Sequence, residues 1–453
     1  MSASPEKPKS KTAVSPSRSA AFKILLCVER DQAYAVELLH SPRLEKLSPE
    51  DRGLTFEITM GVLRWRSVLD ATIREFSFTP FHKLDLEVLT ALRIGAYQLM
   101  FLERVPARAA VNESVQLVKA SRKASAAGMA NVVLRKISQR AARKLGDTET
   151  AQKIVAAMAH PAWLVERWTR EYGHDAARRI CEFDQQVPAT HVRLRGDAAA
   201  IERDLRDQGI EIAPGALMRD ARVVVSGDVA HSGACVSGRA VIQDEASQLI
   251  AALVGTGRQI LDCCAAPGGK TSAIADRNPE ARIVAAEIHE HRARLMQKLV
   301  TAPNVEIVHA DATSLPFPDE SDRVLADVPC SGTGTLARNP EIKWRLKPED
   351  LADLHARQAA ILRAALERLT PGGVLVYSSC SLEPEENAAV VDEVTGFRAD
   401  VEVRDVRERL QELRTSGELV WSDLDSLIQG PYLRTLPGVH PCDGFFAAIL
   451  KRM

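Results

Sequence analysis

With 453 residues, 45% hydrophobic and 26% charged, the chain has the composition of an ordinary soluble globular protein of two or three domains. No run approaches the roughly 18 apolar residues of a membrane span, and the polar N-terminus lacks the apolar core of a signal peptide. A membrane protein is thereby excluded and the expected compartment is the cytoplasm, while the net charge of −1 averages two unlike parts: residues 1–145 hold 24 Lys+Arg against 14 Asp+Glu, and the remainder is acidic.

Residues 1–19 are rich in Ser, Pro and Lys and too poor in apolar side chains to offset the entropy of ordering, so they read as a flexible basic tail. From 20 to 145 the periodicity is helical throughout, which predicts an all-α domain. Ser48, Pro49, Glu50 and Asp51 supply an N-cap, a first-turn proline and early acids, and Leu54, Ile58, Val62 and Leu69 follow at helical spacing. Further helices are expected over 84–101 and, in one or two segments, over 109–140. Between Arg104 and Lys144 stand ten basic residues and one acid, Glu113. A solvated helix face accounts for such a run, and so does a phosphate-binding face.

The character changes over 146–235. Helices at 162–172, 176–185 and 197–208 alternate with strand candidates at 190–194 and 221–225, the pattern of a small α/β linker domain. From 236 to 453 strands and helices alternate regularly, with strands at 259–263, 282–287, 305–309, 323–326 and 374–377 and a closing strand at 445–450. This predicts a doubly wound, mostly parallel, Rossmann-like α/β sheet, in which ligands lie at the carboxyl ends of the strands. The charged, poorly periodic stretch 396–436 carries no readable function.

The candidate chemistry sits at those strand ends. The first strand runs into Asp262-Cys263-Cys264-Ala265-Ala266-Pro267-Gly268-Gly269-Lys270 and then a helical pattern. It lacks the spacing of a dinucleotide fingerprint or a P-loop, yet small residues at a helix start leave backbone N–H groups open to a closely approaching ligand. A bulky, mostly uncharged nucleoside with a sulfonium suits it. Glu287 ends the second strand, where a carboxylate can accept both ribose hydroxyls. Asp311 follows the third, within reach of an adenine amine, with a cap ahead of Ala312 as its competing role.

Eight cysteines show neither the density of a disulfide scaffold nor paired C-x-x-C spacing, so they read as free thiols and no metal is expected. Two stand apart from core packing. Asp327-Val328-Pro329-Cys330 ends the fourth strand in a stiff turn, and Tyr377-Ser378-Ser379-Cys380 ends the fifth. Two strand-end thiols with an aspartate between their loops point to covalent chemistry on an electron-poor ring. C5 of cytosine takes a methyl group only after a thiolate has added to C6, with an acid at N3 to stabilise the adduct. Asp327 suits the acid, and either Cys380 or Cys330 the thiolate.

The motifs D-C-C-A-A-P-G-G-K-T, A-D-V-P-C-S-G-T-G, R-N-P-E-I-K-W, Y-S-S-C-S-L-E-P-E-E-N and the late D-G-F-F together resemble the RNA 5-methylcytosine methyltransferase family, in order over 260–446. The all-α region resembles the NusB-like RNA-binding domain. The resemblance implies a class I methyltransferase domain using S-adenosyl-L-methionine. Cys264, Ala265, Ala266, Pro267, Gly268, Gly269, Lys270, Glu287, Asp311 and Asp327 would line the donor site, Cys380 would be the nucleophile and Cys330 would assist product release. It further implies an enzyme that methylates C5 of a 16S rRNA cytosine, free or in a partly assembled small subunit; separately, a monomer is expected. Glu287 and Val328 depart from the family's more usual aspartate and alanine. Lys343, Trp344 and Arg338 would contact RNA, with core packing the equal alternative for Trp344. Cys330 remains a competitor for the nucleophile, as a Pro-Cys thiol serves in DNA cytosine methyltransferases. Two rival readings stand beside this one: an RNA-binding assembly or antitermination factor with a vestigial methyltransferase fold, and the same chemistry on tRNA.

Overall fold

The computed structural model describes residues 14–141, 159–316 and 320–453, so positions 1–13 of the expected tail and the passage into the linker at 142–158 lie outside the described residues. The chain divides into two units, Met1–Gln186 with Ala337–Trp344, and Val187–Leu336 with Arg345–Met453.

The first unit is helical, as the periodicity predicts. Its opening helix, Pro16–Arg30, begins inside the stretch read as tail. Pro16 pre-sets the first turn, and Arg18 is buried, donating from Nε to Gln98 Oε1 at 2.7 Å and pairing with Glu113 Oε1 at 3.1 Å. Ser48 caps Pro49–Arg64 by accepting the Asp51 N–H at 3.2 Å. Leu86–Phe101 is apolar around most of its circumference and runs through the centre, with Leu92 and Ile94 fully buried. The stretch 109–140 resolves into Ala107–Ala120 and Ala127–Ala141. Ala162–Tyr172 and His174–Asp184 follow, joined at Gly173.

One segment of this unit comes from far along the chain. In Ala337–Trp344, Lys343 is 1% exposed and donates from Nζ to Arg64 O at 3.1 Å, and Trp344 Nε1 donates to Leu63 O at 2.6 Å. These carbonyls belong to the last turn of Pro49–Arg64, where the helix has no donors of its own to offer them. The expected RNA contact of Lys343 is therefore corrected, because its buried ammonium serves the end of a helix, and the half-buried Trp344 follows its packing alternative by bonding the same helix end.

In the second unit, β1 (His191–Leu194), β2 (Glu211–Pro214), β3 (Ala221–Ser226) and β4 (Ala240–Ile242) form an antiparallel sheet in the order β2-β3-β1-β4. Asp197 caps the accompanying helix Ala198–Asp207. The short β2 and β4 carry too little alternation to be read in advance.

The larger sheet contains β5 (Gln259–Asp262), β6 (Arg282–Glu287), β7 (Val305–His309), β8 (Ser321–Asp327), β9 (Leu369–Ser379), β10 (Val401–Arg404), β11 (Ile428–Gln429), β12 (Tyr432–Thr435) and β13 (Phe445–Arg452). Its order is β11-β12-β13-β9-β8-β5-β6-β7, with β10 also on β13. The run β7-β6-β5-β8-β9 is parallel, and β13 reverses direction against β9. The sheet is thus mixed, with the expected parallel half holding the strand ends. Stretch 396–436 supplies β10, β11 and β12, an edge whose short strands lack the apolar runs of the interior.

Burial on both faces explains those runs. Ile260, Leu325 and Val376 pack on one side with Leu249 and Ile274, whereas Leu261, Val324 and Leu375 pack on the other with Leu362 and Leu366. Neighbours in one strand serve opposite cores.

Candidate active site

The candidate donor-site and thiol positions lie in the second unit, at the carboxyl ends of β5, β6, β7, β8 and β9, beside the switch point between β5 and β8 where connections turn to opposite sides. After β5, Cys263 and Ala265 remain tied to neighbouring strands through N–H bonds to Leu325 O and Ala286 O, each 2.9 Å. Asp262 accepts the Thr271 hydroxyl at 2.7 Å, closing the turn on itself, and burial raises its carboxyl to about 7. Burial likewise raises the Cys264 thiol, reinforced by the charges of Cys263 and Asp262.

Gly268 has φ 103°, and a Cβ there would stand 2.5 Å from Val300 Cγ2. Only glycine makes this turn without strain. It is followed by the helix Gly269–Arg277, whose first N–H groups have no intrahelical partner. On β6, the buried Glu287 accepts the His289 N–H through Oε1 at 2.8 Å, while Oε2 makes no hydrogen bond among the described residues. Past β7, Asp311 accepts from Thr313 N at 2.9 Å and Thr313 Oγ1 at 2.8 Å, which hold its carboxyl below the usual range. Residues 312–316, which follow it, are turn and coil and not helix. The Asp311 side chain makes a local turn instead of a cap. A small-residue cradle, a helix start and an acid with one open oxygen fit a nucleoside with ribose hydroxyls.

At the ends of β8 and β9 the chemistry converges. Lys270 Nζ and Asp327 Oδ2 are 2.7 Å apart, and Ser378 Oγ donates to Asp327 Oδ1 at 2.7 Å. Burial acts to lower the Lys270 ammonium, but the charge and hydrogen bond of Asp327 outweigh it and the net shift is upward. Lys270 also stands 4.9 Å over the Phe445 ring. Cys330 Sγ and Cys380 Sγ are 3.3 Å apart. The Cys330 thiol is pushed well above the usual thiol range, first by its hydrogen bond to Cys380, then by burial, and further by the charges of Cys380 and Glu386.

The two thiol loops are joined through their backbones. Gly334 N donates to Cys380 O at 2.9 Å and Gly444 N donates to Gly334 O at 2.8 Å. A Cβ on Gly334 would lie 2.1 Å from Gly444 O, so the last glycine of S-G-T-G is required for the close approach to D-G-F-F. Sequence reasoning singled out both cysteines, Asp327 and Lys270, but assigned nothing to Glu386, Gln358, Ser331 or Ser381, which lie beneath the thiols. The available signal was P-E-E-N, an acid pair too close to an apolar strand to be ordinary surface.

The family model described as 16S rRNA methyltransferase RsmB/F matches residues 252–451, the NusB family matches 15–139, and an RsmF/B-like ferredoxin-like domain matches 160–229. The probable ribosomal RNA small subunit methyltransferase B of Bacillus subtilis is 31% identical, covering 96% of this chain and 98% of its own length. Ribosomal RNA small subunit methyltransferase B of Salmonella typhi is 32% identical, covering 95% of this chain and 97% of its own. Among solved structures, a methyltransferase homolog protein from Pyrococcus horikoshii is similar with a TM-score of 0.54 and 25% identity, over 68% of this chain and 100% of that one. Similarity along nearly the whole length, through a NusB-like helical part and a mixed-sheet methyltransferase part, means that this chain belongs to the RsmB/F methyltransferase family.

Proposed function

We propose that this methyltransferase transfers a methyl group from S-adenosyl-L-methionine to C5 of a cytosine in 16S rRNA, through a covalent bond between Cys380 and C6. The observation that carries the reading is the pairing of two thiols 3.3 Å apart with a Lys270–Asp327 ion pair, all from the ends of adjacent parallel strands. The cradle of Cys264, Ala265, Ala266, Pro267, Gly268 and Gly269 would hold the donor, with Glu287 at its ribose and Asp311 at its adenine. The donor supplies an electrophilic methyl group.

The chain's own groups supply the rest. Cys380 adds its sulfur to C6 as the thiolate, and the Asp327–Lys270 pair shares a proton with N3, so the electron pair displaced from the C5–C6 bond becomes nucleophilic at C5. After C5 has taken the methyl group, its proton leaves to water, and the Cys330 thiol, 3.3 Å from Cys380, assists by donating a hydrogen bond to the departing sulfur. The electrons of the C5–H bond reform C5–C6 and expel Cys380. The target base must leave its stack, which favours a loop or a partly assembled particle. No helix among the described residues is long and apolar enough to cross a membrane.

The helical unit offers the surface for holding RNA. Ala107–Ala120 and Ala127–Ala141 flank a groove of about 1140 Å³ lined by Arg108, Lys119 and Arg135, none of which has a carboxylate partner among the described residues. Glu113, also at the groove, is committed to Arg18. Arg108 and Lys119 stand eleven residues apart on one helix face, roughly 16 Å along the axis. Replacing Arg108, Lys119 and Arg135 together by Gln is expected to raise KM for rRNA with kcat unchanged, and to reduce the slope of log affinity against log salt by about 2. Binding curves at several salt concentrations check this. An unchanged slope contradicts it.

The reading itself is tested by incubating the protein with the methyl donor and free 16S rRNA, small-subunit particles or tRNA, then measuring 5-methylcytidine in digested RNA by mass spectrometry. The expected product appears with 16S rRNA or the particle. Product on tRNA alone, or methylation at another atom, contradicts the assignment.

A further inference from the structure

Both reactive thiols sit in the same dipeptide. Cys330-Ser331 ends the β8 turn and Cys380-Ser381 ends the β9 turn, and the serine hydroxyls stand 3.0 Å apart just as the sulfurs stand 3.3 Å apart. Two turns of equal composition, face to face, need something to hold their register.

A single buried carboxylate occupies that position. Glu386 is 0% exposed. Its Oε2 accepts both hydroxyls, from Ser331 and, at 2.5 Å, from Ser381. Its Oε1 accepts the Ser331 N–H and the Gln358 amide, each at 2.8 Å. Gln358 passes the constraint on by donating to Pro329 O at 3.0 Å, immediately before Cys330. Tyr377 fixes the other end, its hydroxyl donating to Glu386 O at 2.7 Å. Four donors from three segments meet one carboxylate, and none of these bonds ends on a reacting atom.

Resting on the covalent reading above, we infer that Glu386 is a positioning residue: through Ser331 and Ser381 its carboxylate holds the Cys330 and Cys380 turns in the register that lets one thiol act on the adduct formed by the other. Its charge has a second effect. Together with the Cys380 hydrogen bond and burial, it pushes the Cys330 thiol upward. A misplacement of about 1 Å in such a constellation costs on the order of 100-fold in rate.

The test compares wild type, Glu386→Gln and Ser331→Ala. Gln is isosteric: it keeps one acceptor oxygen for the two N–H donors, and its NH₂ can donate to serine hydroxyls that rotate. Glu386→Gln is expected to lower kcat for 5-methylcytidine formation by about 10–100-fold, with KM for RNA and donor within about twofold of wild type. A larger fraction of protein should be trapped as the RNA adduct on denaturing gels. Ser331→Ala, which loses one hydroxyl only, should move the same readouts by a smaller factor and decides the matter if Glu386→Gln fails to fold.

A second readout needs no RNA. The oxidant diamide removes two hydrogens from adjacent thiols, leaving a disulfide and the reduced hydrazine. The Cys330–Cys380 disulfide should form at least tenfold more slowly in Glu386→Gln than in wild type. Wild-type kcat and wild-type disulfide rates in both variants would overturn the inference, as would a kcat loss no larger than the loss of folded protein. If wild type makes no 5-methylcytidine while disulfide formation still slows in the variants, the covalent reading fails and the positioning of the thiols stands.

Discussion

Replacing Lys343 by Ala should destabilise the helical unit by about 1–3 kcal/mol, the cost of leaving the buried Arg64 carbonyl without this donor. Burial lowers the Lys343 ammonium to about 7 and raises the Asp184 carboxyl to about 8, and each is pulled back by the charge of the other. His160 Nε2 lies 3.2 Å from Asp184 Oδ2 and 3.5 Å from Lys343 Nζ, so the three form one buried polar cluster. Arg64 Nη2 donates to Ala337 O at 3.0 Å and Glu341 Oε1 accepts the Ala35 N–H at 2.8 Å, which anchors the same segment elsewhere in the unit. Urea unfolding curves would measure the loss. Combining Lys343→Met with Asp184→Asn should cost less than the sum of the single changes, because both groups belong to one buried polar cluster around His160. A Lys343→Ala protein that melts like wild type but binds RNA weakly would restore the surface role that burial denies.

The second large effect is expected at Asp327. Changing it to Asn keeps the shape and the Ser378 contact but removes the charge opposite Lys270, and kcat should fall by about 10²–10⁴, the usual span for a positioned acid or base. Single-turnover methylation at saturating donor measures the chemical step directly. A fall of less than tenfold would mean that the adduct is stabilised from elsewhere.

The parallel half of the sheet was legible because its strands are buried on both faces and read as unbroken apolar runs, as at Ile260-Leu261 and Val324-Leu325. The positions of the candidate residues were legible for a related reason: Asp327, Cys330 and Cys380 stand where those runs stop, and ligands in such sheets gather at strand ends. Short edge strands such as β2 and β11 escaped, since two to four residues cannot display a period. Lys343 escaped because a cation beside a tryptophan looks like an RNA contact until the carbonyls at the end of a distant helix are placed around it. Glu386 escaped because its four donors come from positions 331, 358 and 381, a convergence that only the folded chain displays.

The most direct measurement compares wild type, Cys380→Ala and Cys330→Ala with labelled S-adenosyl-L-methionine and 16S rRNA, following both methylation and protein–RNA adducts on denaturing gels. The account predicts that Cys380→Ala is inert and free of adduct, while Cys330→Ala accumulates a methylated adduct that it cannot release. Exchanged phenotypes would make Cys330 the nucleophile, and full turnover by Cys380→Ala without any adduct would contradict covalent catalysis altogether.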